Sequence, residues 1–397
     1  MFGWEFPPHN SGGLGTACYG LTKALSGAKT KITFVLPKEL PGLKHDFLDI
    51  RFANLEKIKF ERLGVLLYPY VTEQSYIEEL ERTGKVSMYG LHLFEEVQRY
   101  GLLARALAKR EKFDVIHAHD WLSFSAGIAA KEISGKPLIV HIHATEFDRT
   151  GGHPNQYIYD EELKGLRAAD CVIAVSHHTK NMVVKYYGVD PDKITVVHNG
   201  IDLAAHQAPI DDTLTWIKEA GKQIVLFVGR ITIQKGPDYF VKAAKRVIEM
   251  NPKVMFVVSG SGDMEGQMIR LASEMGISDH IFFTGFMRGD ELLKLYRAAD
   301  LFVMPSVSEP FGITPLEALA NHTPVLISKQ SGVAEVLPNA LKSDFWDTED
   351  MADKILTVLR EAHLRQALSE NGHEDARRTT WEEAAGKCMV LYENLAK

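Results

Sequence analysis

Ten short runs rich in Val, Ile and Phe, separated by longer stretches of helical spacing, constrain what this chain can fold into more than any other feature. Apolar runs of strand length joined by helix-like connections mark βαβ units, whose parallel sheet is covered on both faces. The first five are ITFVLP from Ile32, FDVIHAH from Phe113, PLIVHIH from Pro137, DCVIAVS from Asp170 and ITVVHNG from Ile194. The second five are IVLFVGR from Ile224, VMFVVSGSG from Val254, IFFTGF from Ile281, LFVMPS from Leu301 and PVLIS from Pro324. A further strand over residues 1–6 would be short, because Pro7 and Pro8 follow it. Between the two sets, residues 202–223 carry no buried-strand signature, and with Ala208, Pro209, Asp211 and Asp212 they read as a linker. Beyond Asp347 the pattern predicts two amphipathic helices, over residues 349–371 and 381–396.

A length of 397 residues fits two domains. The division expected is residues 1–203, residues 204–375, and a terminal helical segment of residues 376–397. Lys plus Arg number 45 against 52 Asp plus Glu, a formal charge of -7, which gives no global attraction to nucleic acid or to an anionic membrane. Cys18, Cys171 and Cys388 lie far apart without a CxxC spacing, so neither a disulfide framework nor a cysteine zinc site is expected, and a reducing cytoplasm fits. No basic leader and no run of 18 apolar residues is present, so neither secretion nor a transmembrane segment is expected.

Several groups stand where strands end. Gly12, Gly13 and Gly15 precede a helical pattern of Leu14, Ala17, Leu21 and Leu25. Such a junction lets backbone N–H groups approach a phosphate, although glycines also serve a tight turn. Ser259, Gly260, Ser261 and Gly262 nearly make a dinucleotide fingerprint, but Glu265 stands where the third glycine belongs, so a structural loop is the expectation. Arg230 and Lys235 project from the carboxyl end of a strand, where two cations could bind a diphosphate and stabilise it as a leaving group, although for one such pair taken alone a solvated surface is the commoner outcome. In SEPFGITPLEAL, Glu309 lies in a loop and Glu317 lies inside a helix expected to begin near Thr314 and Pro315.

Three patterns compete with that reading. His117, His119, His141 and His143 form two HxH pairs on neighbouring strands, which could chelate a metal as in a hydrolase, or could pack as satisfied core histidines. Asp190 and Asp192 have the DxD form of metal-dependent sugar transferases, but Pro191 between them makes a turn the expectation. Lys38, Lys44, Arg51, Lys57, Lys59 and Arg62 could touch an anionic surface, although Glu39, Asp46, Asp49, Glu56 and Glu61 are interspersed and favour a solvated face.

Taken together, GGLG, HAHDW, HNGID, VGRITIQKG and SEPFGITPLEAL, in this order and spacing, resemble family 4 of the retaining GT-B glycosyltransferases over nearly the whole chain. The opening MFGWEFPP with SGGLG and HAHDW is similar to the glycogen and starch synthase-related branch. Two departures stand out: Ser11 occupies the place of a Lys usual in glycogen synthases, and Asn321 with His322 replaces a small residue.

The resemblance implies an α/β GT-B fold: two Rossmann-like domains, acceptor-side first and nucleotide-sugar-binding second, facing a central cleft, with the last helix crossing back to the first domain. It implies that Arg230 and Lys235 hold the donor diphosphate in place of a metal, and that Gly12 and Gly13 approach the distal phosphate. Glu317 would bind the ribose. Glu309 would contact the donor sugar, with Phe311, Gly312, Ile313 and Thr314 in the same donor loop. His143 would bond the sugar near its anomeric centre, and Asp120 and Trp121 would shape the acceptor side. His143, Asp120, Glu309, Arg230 and Lys235 form the implied catalytic set.

The implied reaction carries a glucosyl group from UDP-glucose or ADP-glucose to an α-1,4-glucan, with no cofactor beyond the donor. Two alternatives accompany it. One is a hexosyltransferase acting on a lipid-linked or surface polysaccharide, with peripheral membrane contact through the basic segment. The other is a catalytically silent glucan- or nucleotide-binding protein.

Overall fold

The computed structural model describes residues 1–8, 12–38, 43–53, 93–206 and 221–396. The chain divides into two compact units, Met1–Asn199 with Trp381–Lys397, and Gly200–Thr380. Each is a parallel sheet with helices between its strands, as the doubled rhythm predicts.

The first unit contains β1 (Thr33–Leu36), β2 (Asp49–Phe52), β3 (Ile116–His119), β4 (Leu138–Ile142), β5 (Cys171–Ala174) and β6 (Ile194–Val196). β1 pairs with β2, and β3 to β6 pair in sequence order, all parallel. The short strand expected over residues 1–6 is reduced to one residue. Phe2 bridges Val35 of β1 and Ala118 of β3 and joins the two sets. Its N–H donates to the His117 carbonyl at 2.8 Å, and its carbonyl accepts from the His119 N–H at 3.0 Å. β3, β4 and β5 are buried at every position, as strands covered on both faces must be.

The second unit contains β7 (Gln223–Val228), β8 (Val254–Ser259), β9 (Ile281–Gly285), β10 (Leu301–Met304), β11 (Val325–Ser328) and β12 (Leu341–Ser343). Their order is β12-β11-β10-β7-β8-β9, all parallel. β7 and β10 are neighbours although the chain leaves them in opposite directions across the sheet. This is a topological switch point, the place beyond the strands' carboxyl ends where ligands of open α/β sheets bind. In the first unit the same reversal falls between Phe2 and β3, because β1 lies on one side of Phe2 and β3 on the other.

All ten apolar runs become strands. The two strands missed, β2 and β12, are edge strands. DIRF in β2 alternates between exposed and half-buried positions, so no apolar run announces it. The single helix expected over residues 349–371 is two, Thr348–Arg360 and Ala362–Arg378, broken at Glu361 with φ -95° and ψ 90°. The final helix, Trp381–Leu395, lies in the first unit, where Gly20 of the helix Gly13–Gly27 meets the Trp381 ring so closely that a Cβ would stand 2.2 Å from it.

The turn expected at Asp190 is present: Pro191–Lys193 is one 3-10 turn, and the Asp190 side chain accepts from the Asp192 N–H. Of the basic segment, Lys38 is buried, Lys44 is exposed and Arg51 pairs with Asp49 at 2.9 Å and Glu111 at 3.6 Å. Lys57, Lys59 and Arg62, with Glu39, Glu56 and Glu61, lie outside the described residues. So do Ser11 and, in the linker, Ala208, Pro209, Asp211 and Asp212. Among the described residues no helix is long and apolar enough to cross a membrane.

Candidate active site

In the second unit the predicted donor residues gather on the loops that bracket the switch point. Arg230 follows β7, and Lys235 ends a 3-10 turn, Ile233–Lys235, just before the helix Pro237–Met250. Glu309 lies on the loop after β10. Lys235 Nζ stands 2.5 Å from Glu309 Oε2, which also accepts from Ser306 Oγ at 3.1 Å. The loops are tied by backbone as well. The Val307 N–H donates to the Gln234 carbonyl at 2.9 Å, and Gln234 Nε2 donates to the Ser308 carbonyl at 3.2 Å. Gly236 makes this approach achievable: at φ +61°, a Cβ there would stand 2.2 Å from the Pro305 carbonyl oxygen.

Glu309 is itself anchored to the loop after β11. Its N–H donates to the Gln330 carbonyl at 3.0 Å, and its carbonyl accepts from the Gly332 N–H at 2.8 Å. Phe311 is 2% exposed and its carbonyl accepts from the Val333 N–H, so its side chain anchors the loop in the core. Gly312 turns the chain at φ +97°. Ile313 and Thr314 lead into the helix Thr314–Ala320, with proline in its first turn as expected. On that helix Glu317 accepts from the Tyr296 hydroxyl at 2.8 Å, and burial raises its pKa.

The second glycine group has a structural role. A Cβ on Gly260 would lie 1.8 Å from the Gly229 carbonyl oxygen, and one on Gly262 would lie 2.4 Å from that of Ile231. The loop packs directly on the backbone that leads to Arg230, as the missing third glycine suggested.

In the first unit the switch point brings the glycine loop and the end of β3 together. Gly12 precedes the helix Gly13–Gly27 without a side-chain cap; a Cβ on Gly12 would meet Glu5 Oε2 at 3.1 Å, whereas one on Gly13 would meet nothing within 4 Å. Asp120 has φ +57°, unusual for a residue with a side chain. Its Oδ1 accepts from the His143 N–H at 2.7 Å and the Ala144 N–H at 3.4 Å, and Arg149 Nη2 lies 3.7 Å from Oδ2. Burial nevertheless pushes its pKa up to about 6, against the opposing pull of Arg149. The carboxylate therefore holds the His143 backbone in place. Trp121 is 2% exposed at the start of the helix Trp121–Ser134.

The four histidines form one buried group on β3 and β4 and just beyond. His117 stacks on His119 and His141 stacks on His143, with ring centroids 4.3 and 4.2 Å apart. Across the strands, His117 Nε2 lies 3.2 Å from His141 Nδ1, and His119 Nδ1 lies 3.1 Å from His143 Nε2. Burial lowers the pKa of all four, His143 to about 3. Donor atoms of Cys18, His119 and His143, and of His117, His119 and His141, converge within 4.8 Å, a spacing that could hold an ion. The same rings already pair with one another, and His117 Nδ1 lies 2.6 Å from the Tyr392 hydroxyl on the final helix.

Sequence reasoning missed Ser306, Gln234 and Tyr296, which touch Glu309, its loop and Glu317. Their only sequence signal is position: Gln234 and Ser306 stand within three residues of Lys235 and Glu309. Tyr296 reads as an ordinary core aromatic and carries no such signal.

The family model described as Glycosyltransferase Family 4 matches residues 11–205, and the one described as Glycosyl transferases group 1 matches residues 215–375. An uncharacterized glycosyltransferase of Methanocaldococcus jannaschii is 29% identical over 99% of this chain and 97% of its own length. D-inositol 3-phosphate glycosyltransferase 2 of Catenulispora acidiphila is 31% identical over 73% of each chain. The structure of HepE from Anabaena in complex with UDP-glucose superposes with a TM-score of 0.72 at 16% identity, covering 99% of both chains.

Proposed function

The chain belongs to the family 4, group 1 glycosyltransferases and has their GT-B fold of two Rossmann-like domains; from that premise we propose that it is a retaining hexosyltransferase. In this reading it moves a glucosyl group from UDP-glucose or ADP-glucose to an α-glucan or related carbohydrate, and it needs no metal. The observation that carries the reading is the placement of Arg230, Lys235 and Glu309 on the loops after β7 and β10, with Glu317 on the helix that follows the second loop and Lys235 and Glu309 2.5 Å apart. Cations at that crevice suit a diphosphate, and carboxylates suit hydroxyls.

In the proposed reaction Lys235 exchanges the Glu309 carboxylate for a phosphate oxygen, and Arg230 shares the diphosphate charge. Glu309 then accepts from donor-sugar hydroxyls, and Glu317 accepts from the ribose. The bond between the anomeric carbon and the β-phosphate oxygen breaks, and its electron pair leaves with the nucleoside diphosphate. The acceptor hydroxyl oxygen bonds the anomeric carbon on the same face, and its proton passes to the departing phosphate oxygen. Stabilising that developing charge is the principal catalytic contribution asked of Arg230 and Lys235. His143, neutral through burial, serves as a hydrogen-bonding partner for the sugar, and Asp120 keeps it positioned. Gly12 and Gly13 approach the distal phosphate, and Trp121 shapes the acceptor side.

A second reading of the acceptor follows from the relative named for D-inositol 3-phosphate, a small phosphorylated polyol. Incubation with labelled UDP-glucose or ADP-glucose in EDTA, with and without glycogen, separates the two. Glycogen-dependent label in precipitated polymer supports the glucan reading. Release of UDP or ADP without polymer labelling keeps the transferase and moves the acceptor to the phosphorylated polyol or to a lipid-linked glycan. Loss of activity in EDTA contradicts the metal-free mechanism. Consumption of neither donor contradicts glucosyl transfer and leaves another sugar donor or a silent binding protein.

A further inference from the structure

We infer that Tyr296 is a positioning residue for donor recognition: its hydroxyl fixes one oxygen of the Glu317 carboxylate and leaves the other to accept from the donor ribose. The inference rests on the assignment of Glu317 to the ribose and adds the group that orients it.

Tyr296 lies on the helix Asp290–Ala298, on a different loop and helix from Glu317, and is fully buried. Its position is fixed at three points. The ring packs against Phe302 of β10 with centroids 5.9 Å apart, its carbonyl accepts from Thr323 Oγ1, and its hydroxyl donates to Glu317 Oε2 at 2.8 Å. Glu317 has no other side-chain hydrogen-bond partner among the described residues. A desolvated carboxylate is costly, and a merely structural position would be served more cheaply by an apolar pair of similar volume. Holding one oxygen on a buried hydroxyl gives the second a single direction and removes the rotamer freedom that ligand binding would otherwise have to quench. The donor hydroxyl also favours the ionised carboxylate, which is acceptor-only and suited to a diol.

The test is equilibrium binding of UDP and ADP, and of their 2′-deoxyribose counterparts, to the wild-type chain, Tyr296→Phe and Glu317→Gln. The wild type is expected to prefer the ribose form of its nucleotide by about tenfold or more, the loss expected when one hydrogen bond to a charged carboxylate is left unmade. Tyr296→Phe keeps the ring volume. Its expected effect is to cut the preference to about threefold or less, by weakening the ribose form alone. If Glu317→Gln loses the preference and Tyr296→Phe retains it, the inference is overturned while the donor reading stands. If Tyr296→Phe weakens both forms equally, its role is structural packing and the inference is overturned. If the wild type shows no preference, or Glu317→Gln keeps it, the ribose assignment falls and the inference falls with it.

Discussion

Lys235 and Glu309 are the residues on which most of the account turns. Glu309 is nearly buried, with 7% of its side chain exposed, and Lys235 with Ser306 supplies its charge compensation. Lys235→Ala and Glu309→Ala are each expected to lower turnover at least about tenfold, since a charged transition-state contact contributes ~2–4 kcal/mol. Steady-state rates of folded variants check this, and unchanged turnover in either would remove that residue from the mechanism. At this scale the sequence placed Arg230, Lys235 and Glu309 on loops beyond strand ends, because strand ends and glycine loops announce themselves. It did not show orientation. Asp120 reads as an acceptor-side group, yet its carboxylate caps the His143 and Ala144 N–H groups, a consequence of a positive φ that residue type does not reveal. Tyr296 was hidden for a related reason, since its partner Glu317 is 21 positions away on another helix.

At the scale of elements, the histidines of β3 and β4 show what a parallel sheet buried on both faces does to titratable groups. The in-register pairing His119↔His141 stacks four imidazoles away from water. Their folded pKa values fall below the ordinary 6.5, so the chain takes up protons there only on unfolding, and stability present above that value is lost as pH falls through it. Asp120, raised to about 6, and Glu162, buried on the helix Gln156–Ala168 against Arg149 and the Tyr187 hydroxyl and raised by that burial to about 7, act oppositely and lose stability as pH rises from the ordinary carboxyl range. Below neutral pH the four lowered imidazoles outnumber the two raised carboxyls, so these six groups together take up protons on unfolding. Denaturant unfolding between pH 7 and 5.5 should therefore show stability falling with acid; a flat or rising profile would mean that the imidazoles carry charge in the fold. The strands themselves were legible because burial on both faces leaves uninterrupted apolar runs. β2 and β12 were not, because DIRF and LKS mix charged with apolar residues where the equally peripheral β6 and β9 keep the apolar runs ITV and IFF, and the break at Glu361 interrupts a pattern that stays amphipathic on both sides of it.

For the whole molecule, the doubled strand rhythm announced two sheets, and the strand order then decided which carboxyl ends carry the candidate site. In the second unit only the β7 and β10 loops flank the reversal, and they hold Arg230, Lys235 and Glu309. That order comes from long-range pairing and is not written in any single segment. The return of the last helix to the first unit is also long-range: Trp381, 6% exposed, covers Gly20. Trp381→Ala should cost about 3–5 kcal/mol as a buried aromatic truncation. Hydrogen exchange would locate the loss, with protection falling in β3 to β6 and holding in β7 to β10; an even loss across both units would contradict the assignment of that helix. The proposed reaction is metal-free, nucleotide-sugar-dependent transfer driven by the cations of the second unit. Its most direct test is the rate of nucleoside diphosphate release from UDP-glucose and ADP-glucose in EDTA, wild type against Lys235→Ala. Chelator-resistant release from one donor is expected, reduced at least about tenfold in the variant. Release that vanishes with EDTA, or that Lys235→Ala leaves unchanged, would contradict it.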